Sequence, residues 1–304
     1  MVGAGLKSFF LFLSQSRALN RAAKKWGLRF GASRFVAGKT IAEAVAKVKQ
    51  LNEAGLICTL DHLGEFVTSR AEAEEATDYC IKTLEAIAKA GVTSNLSLKL
   101  TQLGLDLDES LCETNMRRIL NTARRHRNFV RIDMEDYSRC KKTLDLLRKL
   151  RRDYSNVGTV IQAYLHRSEQ DVANLKGVPL RLVKGAYKES PDVAYSQKAE
   201  VDHNFKRLIE AHLQTGTYTA IATHDDAIIA FVKQLVAEKG ISHDRFEFQM
   251  LYGIRSDTQR ALAAEGYTMR VYVPYGSDWY GYFMRRLAER PANVAFVVKG
   301  MFSR

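Results

Sequence analysis

Short β-rich runs, each followed by a helix-patterned stretch, recur eight times along this chain, and few architectures accommodate that alternation. The runs lie at 56–60, 95–100, 129–133, 158–163, 180–183, 218–223, 246–250 and 269–273. Helical patterns lie between and after them at 71–90, 109–125, 138–152, 169–175, 194–213, 225–239, 256–266 and 279–289. Eight strand–helix units predict an α/β chain closed into a (βα)8 TIM-like barrel. An open doubly wound sheet would carry a Gly-rich phosphate-binding turn after its first strand. Here the first strand runs into Asp61-His-Leu-Gly-Glu65, with no GxGxxG. A further helical pattern at 41–53, stopped by Gly55, precedes the first strand. Residues 1–55 therefore read as extra N-terminal helices packed on the barrel, and 56–304 as the barrel with a short tail after Pro291.

Composition narrows the class. The chain has 304 residues, is 46% hydrophobic and carries only 4 Pro, enough for one large core without long linkers. The net charge of +12 attracts polyanions but is spread out, with clusters at 124–127 and 148–152 that fall at helix ends, where cations suit the macrodipole. Nucleic acid is not expected as a partner. The four cysteines have no metal-like spacing, so no metal is expected and a reducing, cytoplasmic setting fits best. Phe9, Phe10, Phe12 and Leu13, then Leu19, Trp26 and Leu28, interleave with Arg17, Arg21, Lys24 and Lys25. That pattern suits packing on the barrel exterior or a peripheral contact with anionic membrane on its inner face.

The strand ends carry the chemistry. Each strand leads into a polar or aromatic group: Asp61, Lys99, Asp133, Gln162, Lys184, His224, Gln249 and Tyr272. In a barrel these ends form one face, which is where barrel enzymes work. Near the chain's end, Tyr282, Arg285, Arg286 and Glu289 fall at spacings that share one helix flank. By itself that spacing also fits a surface salt-bridge lattice.

These groups lie within an ordered set of motifs. They are Asp61-His-Leu-Gly-Glu65, Leu98-Lys-Leu-Thr-Gln-Leu-Gly104, Arg131-Ile-Asp-Met-Glu135, Ile161-Gln-Ala-Tyr164, Arg181-Leu-Val-Lys-Gly-Ala-Tyr187, Ala222-Thr-His224, Glu247-Phe-Gln-Met-Leu-Tyr-Gly253, Tyr272-Val-Pro274 and Tyr282-Phe-Met-Arg-Arg-Leu-Ala-Glu289. Any one is weakly specific, but in this order, across about residues 56 to 300, the set resembles the bacterial monofunctional proline dehydrogenases. The resemblance implies FAD-dependent oxidation of L-proline to Δ1-pyrroline-5-carboxylate. Hydride passes from proline C5 to flavin N5 and electrons pass to a membrane quinone.

It also implies roles. Lys99, Arg285 and Arg286 hold the substrate carboxylate, and Tyr272, Tyr282 and Leu182 wall the ring, with Leu182 equally readable as barrel core. Glu65 and Arg285 form a gate. Asp133 and Arg181 are essential to catalysis, Asp133 by positioning Arg181 or Lys99. Met134, Gln162, Arg181, Lys184, Gly185, Ala186, Thr223, His224, Gln249 and Glu289 contact FAD, with Gly185 allowing close backbone approach. A flavin-free barrel enzyme acting on a phosphorylated or carboxylated substrate, and a basic polyanion-binding scaffold, are the competing readings. Neither accounts for the ordered strand-end groups. Oligomeric state stays open.

Overall fold

A computed structural model of the chain describes residues 32–64 and 67–289, apart from the side chains of Ala32 and of residues 285–289. The eight expected strands form a closed parallel barrel in sequence order. They are β1 (Ile57–His62), β2 (Ser94–Leu98), β3 (Val130–Ile132), β4 (Val157–Gln162), β5 (Leu180–Val183), β6 (Thr219–Ala222), β7 (Phe246–Leu251) and β8 (Met269–Tyr275). Helix α1 (Ile41–Glu53) precedes them, and α2 (Arg70–Ala90), α3 (Glu109–Arg125), α4 (Tyr137–Leu150), α5 (Ser168–Asn174), α6 (Lys198–Gln214), α7 (Asp226–Glu238), α8 (Ser256–Ala264) and α9 (Trp279–Glu289) follow the strands in turn. Among the described residues no helix is long and apolar enough to cross a membrane.

The helices start where the sequence supplies caps. Thr40 accepts from the Glu43 amide while Glu43 reaches back, a capping box that starts α1. Asp108, Asp136 and Asp225 accept the first-turn amides of α3, α4 and α7. One boundary departs from the sequence pattern: the helix after β5 begins at Lys198 rather than near 194. Ala194 is held in an antiparallel bridge to Leu165, and the Tyr195 amide donates to the Tyr164 carbonyl at 2.8 Å, so residues 184–197 stay a loop over the barrel mouth.

Successive strand residues face opposite sides of the sheet. The outward set, including Cys58, Leu60, Leu96, Leu98, Val130, Ile132, Leu180, Leu182, Ile221, Phe248, Val271 and Val273, is buried beneath the helices. Each such aliphatic side chain contributes about 1.5–3 kcal/mol through burial. The inward set carries most of the polar strand residues. Register pairs Asp61 with Ser97, Ser97 with Arg131, Arg181 with Ala220, Ala220 with Glu247, and Gln249 with Arg270. Paired residues in a parallel sheet point the same way, so these charges converge inside the barrel. Barrels usually fill that space with branched aliphatics, so the inversion already marks the interior as a place of chemistry. The four cysteines are free and buried, and burial pushes the Cys58, Cys80 and Cys140 thiols up to about 12.

Candidate active site

At the C-terminal mouth six strands deliver one connected network. Asp133, just past β3, sits at its centre. Its Oδ1 accepts from Arg181 Nη1 at 2.6 Å and from Ser97 Oγ at 3.2 Å, and its Oδ2 accepts from the Tyr272 hydroxyl at 2.8 Å. Arg181 uses all three of its nitrogens: Nη2 donates to Ser97 Oγ at 2.9 Å and Nε to Gln249 Oε1 at 2.5 Å. Lys99 Nζ lies 3.3 Å from Asp61 Oδ2 and 3.8 Å from Asp133 Oδ2. The Arg181 guanidinium also stands 5.3 Å from the centre of the Tyr272 ring. Two carboxylates thus face two cations, all nearly fully buried. In so dry a site, removal of one partner strands a charge at a cost of about 3–5 kcal/mol. Burial, together with the Asp133 charge, pushes the Tyr272 phenol well above its ordinary value, so it stays protonated and donates.

A second group occupies the neighbouring ends of β5 and β6. Lys184 Nζ donates to Asp225 Oδ2 at 2.7 Å and pairs with Asp202. The Lys184 hydrogen bond holds Asp225 down at about 2, with help from the Ala227 amide. Thr223 Oγ1 accepts the Asp225 amide at 3.1 Å. The Leu251 amide donates to His224 Nε2 at 3.0 Å, which makes Nδ1 the protonated nitrogen of a neutral ring. Met134 and Gln162 lie buried at the ends of β3 and β4. Gln162 Nε2 donates to the Glu135 carbonyl at 3.3 Å, and its Oε1 is buried with no hydrogen-bond partner among the described residues. Ala186 is exposed in the loop that follows β5.

The structure therefore gathers Lys99, Asp133, Arg181, Gln249 and Tyr272 into one cluster and sets Lys184, Thr223 and His224 beside it. It corrects Leu182. Arg181 points into the barrel, so Leu182, its immediate neighbour, must face outward, and it lies fully buried in the layer between sheet and helices as core. Gly185 has a different reason from close approach to a ligand. At φ +117°, a Cβ there would fall 2.2 Å from the Tyr164 ring. Tyr282 is buried in a small apolar cluster on α9. Glu65, the N-terminal pattern at 9–28, the tail after Pro291 and the side chains of Arg285, Arg286 and Glu289 lie outside the described residues. Sequence reasoning passed over Ser97, and it noted Asp61 only as a strand end. Both were within reach of strand alternation, since Ser97 precedes Lys99 by two and shares its face.

A cavity of about 670 Å³ opens at the opposite, N-terminal mouth, lined by Asn95, Arg131, Tyr218, Glu247 and Arg270 among others. Several of its polar groups bond inwardly, while Asn95 Oδ1 and Arg131 Nε are buried without a hydrogen-bond partner among the described residues. Glu247 accepts from Arg270 Nε and from the Tyr218 hydroxyl, each at 2.8 Å, and Arg131 Nη1 donates to the Thr159 and Pro179 carbonyls. Burial would raise the Glu247 carboxyl, but Arg270 overrides it and holds the group below its usual value. Barrel enzymes place their chemistry at the other face.

Known proteins agree on one family. Residues 44–299 match the family described as proline dehydrogenase. The chain is 54% identical over 297 residues to proline dehydrogenase 2 of Bacillus subtilis, spanning 97% of this chain and 98% of that one. It is 49% identical over 285 residues to the proline dehydrogenase of Deinococcus radiodurans, 91% of each chain. Among solved structures, proline utilization A (PutA) from Bdellovibrio bacteriovorus, inactivated by N-propargylglycine, matches with a TM-score of 0.80 at 28% identity. That match spans 85% of this chain and 32% of the larger protein.

Proposed function

Since the chain belongs to the proline dehydrogenase family, and proline oxidation is that family's reaction, we propose that it converts L-proline to Δ1-pyrroline-5-carboxylate with FAD bound over the C-terminal mouth. The observation that carries this reading is the buried Lys99–Asp133–Arg181 cluster at the C-terminal mouth, the end of the barrel from which helix α9 departs. FAD held there would supply the acceptor, at N5, for the hydride of proline C5 and the route for its electrons to a membrane quinone.

The residues present suit a flavin. The unpartnered Gln162 Oε1 is a buried acceptor in need of a donor, and an isoalloxazine ring carries an N–H. Arg181 supplies fixed positive charge beside a ring that gains negative charge on reduction. Met134, Gln162, Arg181, Lys184, Gly185, Ala186, Thr223, His224, Gln249 and Glu289 are the residues proposed to hold the cofactor. Lys184 stands paired to Asp202 and Asp225, which fixes its ammonium in place as a positioned donor.

The substrate is held by its acid group. Lys99 supplies a point charge, and Arg285 and Arg286 supply planar forks suited to a carboxylate. Asp133 takes no proton in this scheme. It orients Arg181 and Lys99 together, and through its other oxygen it holds the Tyr272 hydroxyl, so that the Tyr272 ring stands as a wall against the proline ring. Glu65 and Arg285 act as a gate over the bound substrate. Glu65→Ala is expected to raise the proline KM and expose the flavin, and unchanged values for both would discard the gate. The N-terminal residues serve a peripheral visit to anionic membrane, where the quinone resides. Deleting residues 1–30 should lower turnover with membrane quinone more than with a soluble dye.

One preparation tests the core of the proposal. The purified protein should be yellow, and anaerobic L-proline should bleach its visible bands. A folded, colourless protein that cannot take up flavin would overturn it.

A further inference from the structure

Apart from the barrel core, the structure holds a second, smaller apolar cluster, and it lies over the C-terminal mouth. It contains Phe35, Val36, Leu63, Ile254, Trp279, Tyr282, Phe283 and Met284. Four of these come from α9, where 279, 282 and 283 share one face and 284 lies beside it. Leu63 follows β1 and Ile254 follows β7, so the loops of two separate strands contribute. Phe35 and Val36 come from neither the barrel nor α9, yet they are the most deeply buried members, at 0% and 1% exposure. The Phe35 ring lies 6.1 Å from that of Phe283, which in turn packs on Trp279 at 5.8 Å.

The segment bearing Phe35 is tied to the mouth at both ends. The Ala37 amide donates to the Pro274 carbonyl and the Gly276 amide to the Gly38 carbonyl, each at 2.9 Å, so it runs beside the end of the strand that carries Tyr272. On its other side the Arg34 side chain reaches the Gly253 carbonyl, and the Arg34 backbone presses on Gly253 itself. At φ +74°, a Cβ on Gly253 would stand 1.8 Å from the Arg34 carbonyl oxygen. Only glycine permits that approach.

We infer that residues 32–38 are a brace for the substrate clamp, and that Phe35 is a positioning residue that sets where α9 presents Arg285 and Arg286. The inference rests on the proposed carboxylate role of those arginines. The sequence continuity is direct: Phe283 and Met284 immediately precede Arg285 and Arg286, and Leu63 stands two residues before Glu65, the proposed other half of the gate. One apolar cluster thus seats the neighbours of both gate residues, and Phe35 is its most deeply buried member. A cavity at that point lets the helix shift by fractions of an ångström. Carboxylate binding then weakens while Arg181 and Asp133, deep in the barrel, stay where they are.

The test uses the full-length, flavin-loaded enzyme. Phe35→Ala should raise the proline KM on the order of tenfold or more while kcat stays within about twofold. The dissociation constant of a non-oxidisable saturated ring carboxylate, measured by flavin absorbance, should rise by the same factor. Phe35→Leu should restore most of both. Gly253→Ala, which pushes the brace outward, should reproduce the defect. Val48→Ala, an equally buried truncation on α1, should lower thermal stability and leave KM unchanged. Should Phe35→Ala not fold, the Gly253→Ala variant carries the measurement, and unaltered ligand affinity in it overturns the brace. A raised KM in Arg285→Ala beside an unaltered one in the brace variants would sink the brace alone. An unaltered KM in Arg285→Ala would sink the clamp reading and the brace with it.

Discussion

The two mouths of this barrel both bury arginines, but they satisfy them in different ways. At the N-terminal mouth each arginine sets a terminal nitrogen on backbone, with the Arg270 Nε bond to Glu247 beside it. Arg131 Nη1 donates to the Thr159 and Pro179 carbonyls, Arg270 Nη1 to the Cys58 carbonyl at 2.6 Å, and His212 Nε2 lies 3.2 Å from the Val178 carbonyl. At the C-terminal mouth the bonds run from side chain to side chain, among Arg181, Asp133, Ser97, Gln249, Lys99, Asp61 and Tyr272. Side-chain pairs are the minority of protein hydrogen bonds, roughly 10–15%. A carbonyl in a strand cannot move, so the lower cations are locked and serve stability. Side chains re-aim at the cost of a rotamer, so the upper cluster can exchange partners when a substrate carboxylate arrives. Gln249 joins the two layers, accepting from Arg181 above and donating to Glu247 below.

Substitutions can break that contrast. Arg181→Met at the upper mouth should cut kcat/KM for proline about a thousandfold, close to 4 kcal/mol, with circular dichroism unchanged. Retention of a tenth or more of the parent's activity would show the cluster to be structural. Glu247→Ala at the lower mouth strands the Arg270 charge and should cost about 3–4 kcal/mol of unfolding free energy in urea, with the proline KM unchanged. A fall in turnover matching that of Arg181→Met would mean that Gln249 couples the two layers into one unit.

Acid sharpens the same contrast. Burial holds His212 down at about 4, from an ordinary 6.5. The unfolded chain therefore takes the proton first as pH falls. The stability from the neutral ring is complete above 6.5 and is lost as pH drops towards about 4, by roughly 3 kcal/mol. His212→Gln should flatten that window in equilibrium unfolding measured at several pH values, and an identical slope in the variant would assign the loss to other groups. The smallest effect is at Ser97. Ser97→Ala removes one of the Arg181 partners and should lower kcat about tenfold, roughly 1.4 kcal/mol, with a measurable shift in flavin potential. A changed melting temperature with unchanged potential would place Ser97 among the merely structural residues.

Much of this contrast was legible in the sequence. The strand ends Lys99, Asp133, Gln249 and Tyr272 stood out because an outward, helix-covered face has no use for such groups. Once Arg181 is assigned to the interior, Leu182 must belong to the outer layer, and alternation alone says so. The longer reach was hidden. Gly158 is glycine because a Cβ there would stand 2.2 Å from the Pro179 carbonyl oxygen and 2.8 Å from Arg131 Nη1, a fit among three strands or their approaches. Gly185 yields to Tyr164 in the same way. Nothing local in either stretch announces its partner.

The sequence by itself determined the barrel and the identity of its polar lining, because strand and helix periodicities are local and repeat eight times, and because each strand's parity decides which residues face inward. Only the tertiary structure decided who bonds to whom inside. It paired Lys99 with Asp61 as well as Asp133, and it laid Arg34 against Gly253, 219 positions away. Those outcomes depend on the stagger between neighbouring strands and on the closure of β8 onto β1, which bring remote side chains within hydrogen-bonding distance, and no pattern along a single strand encodes that distance.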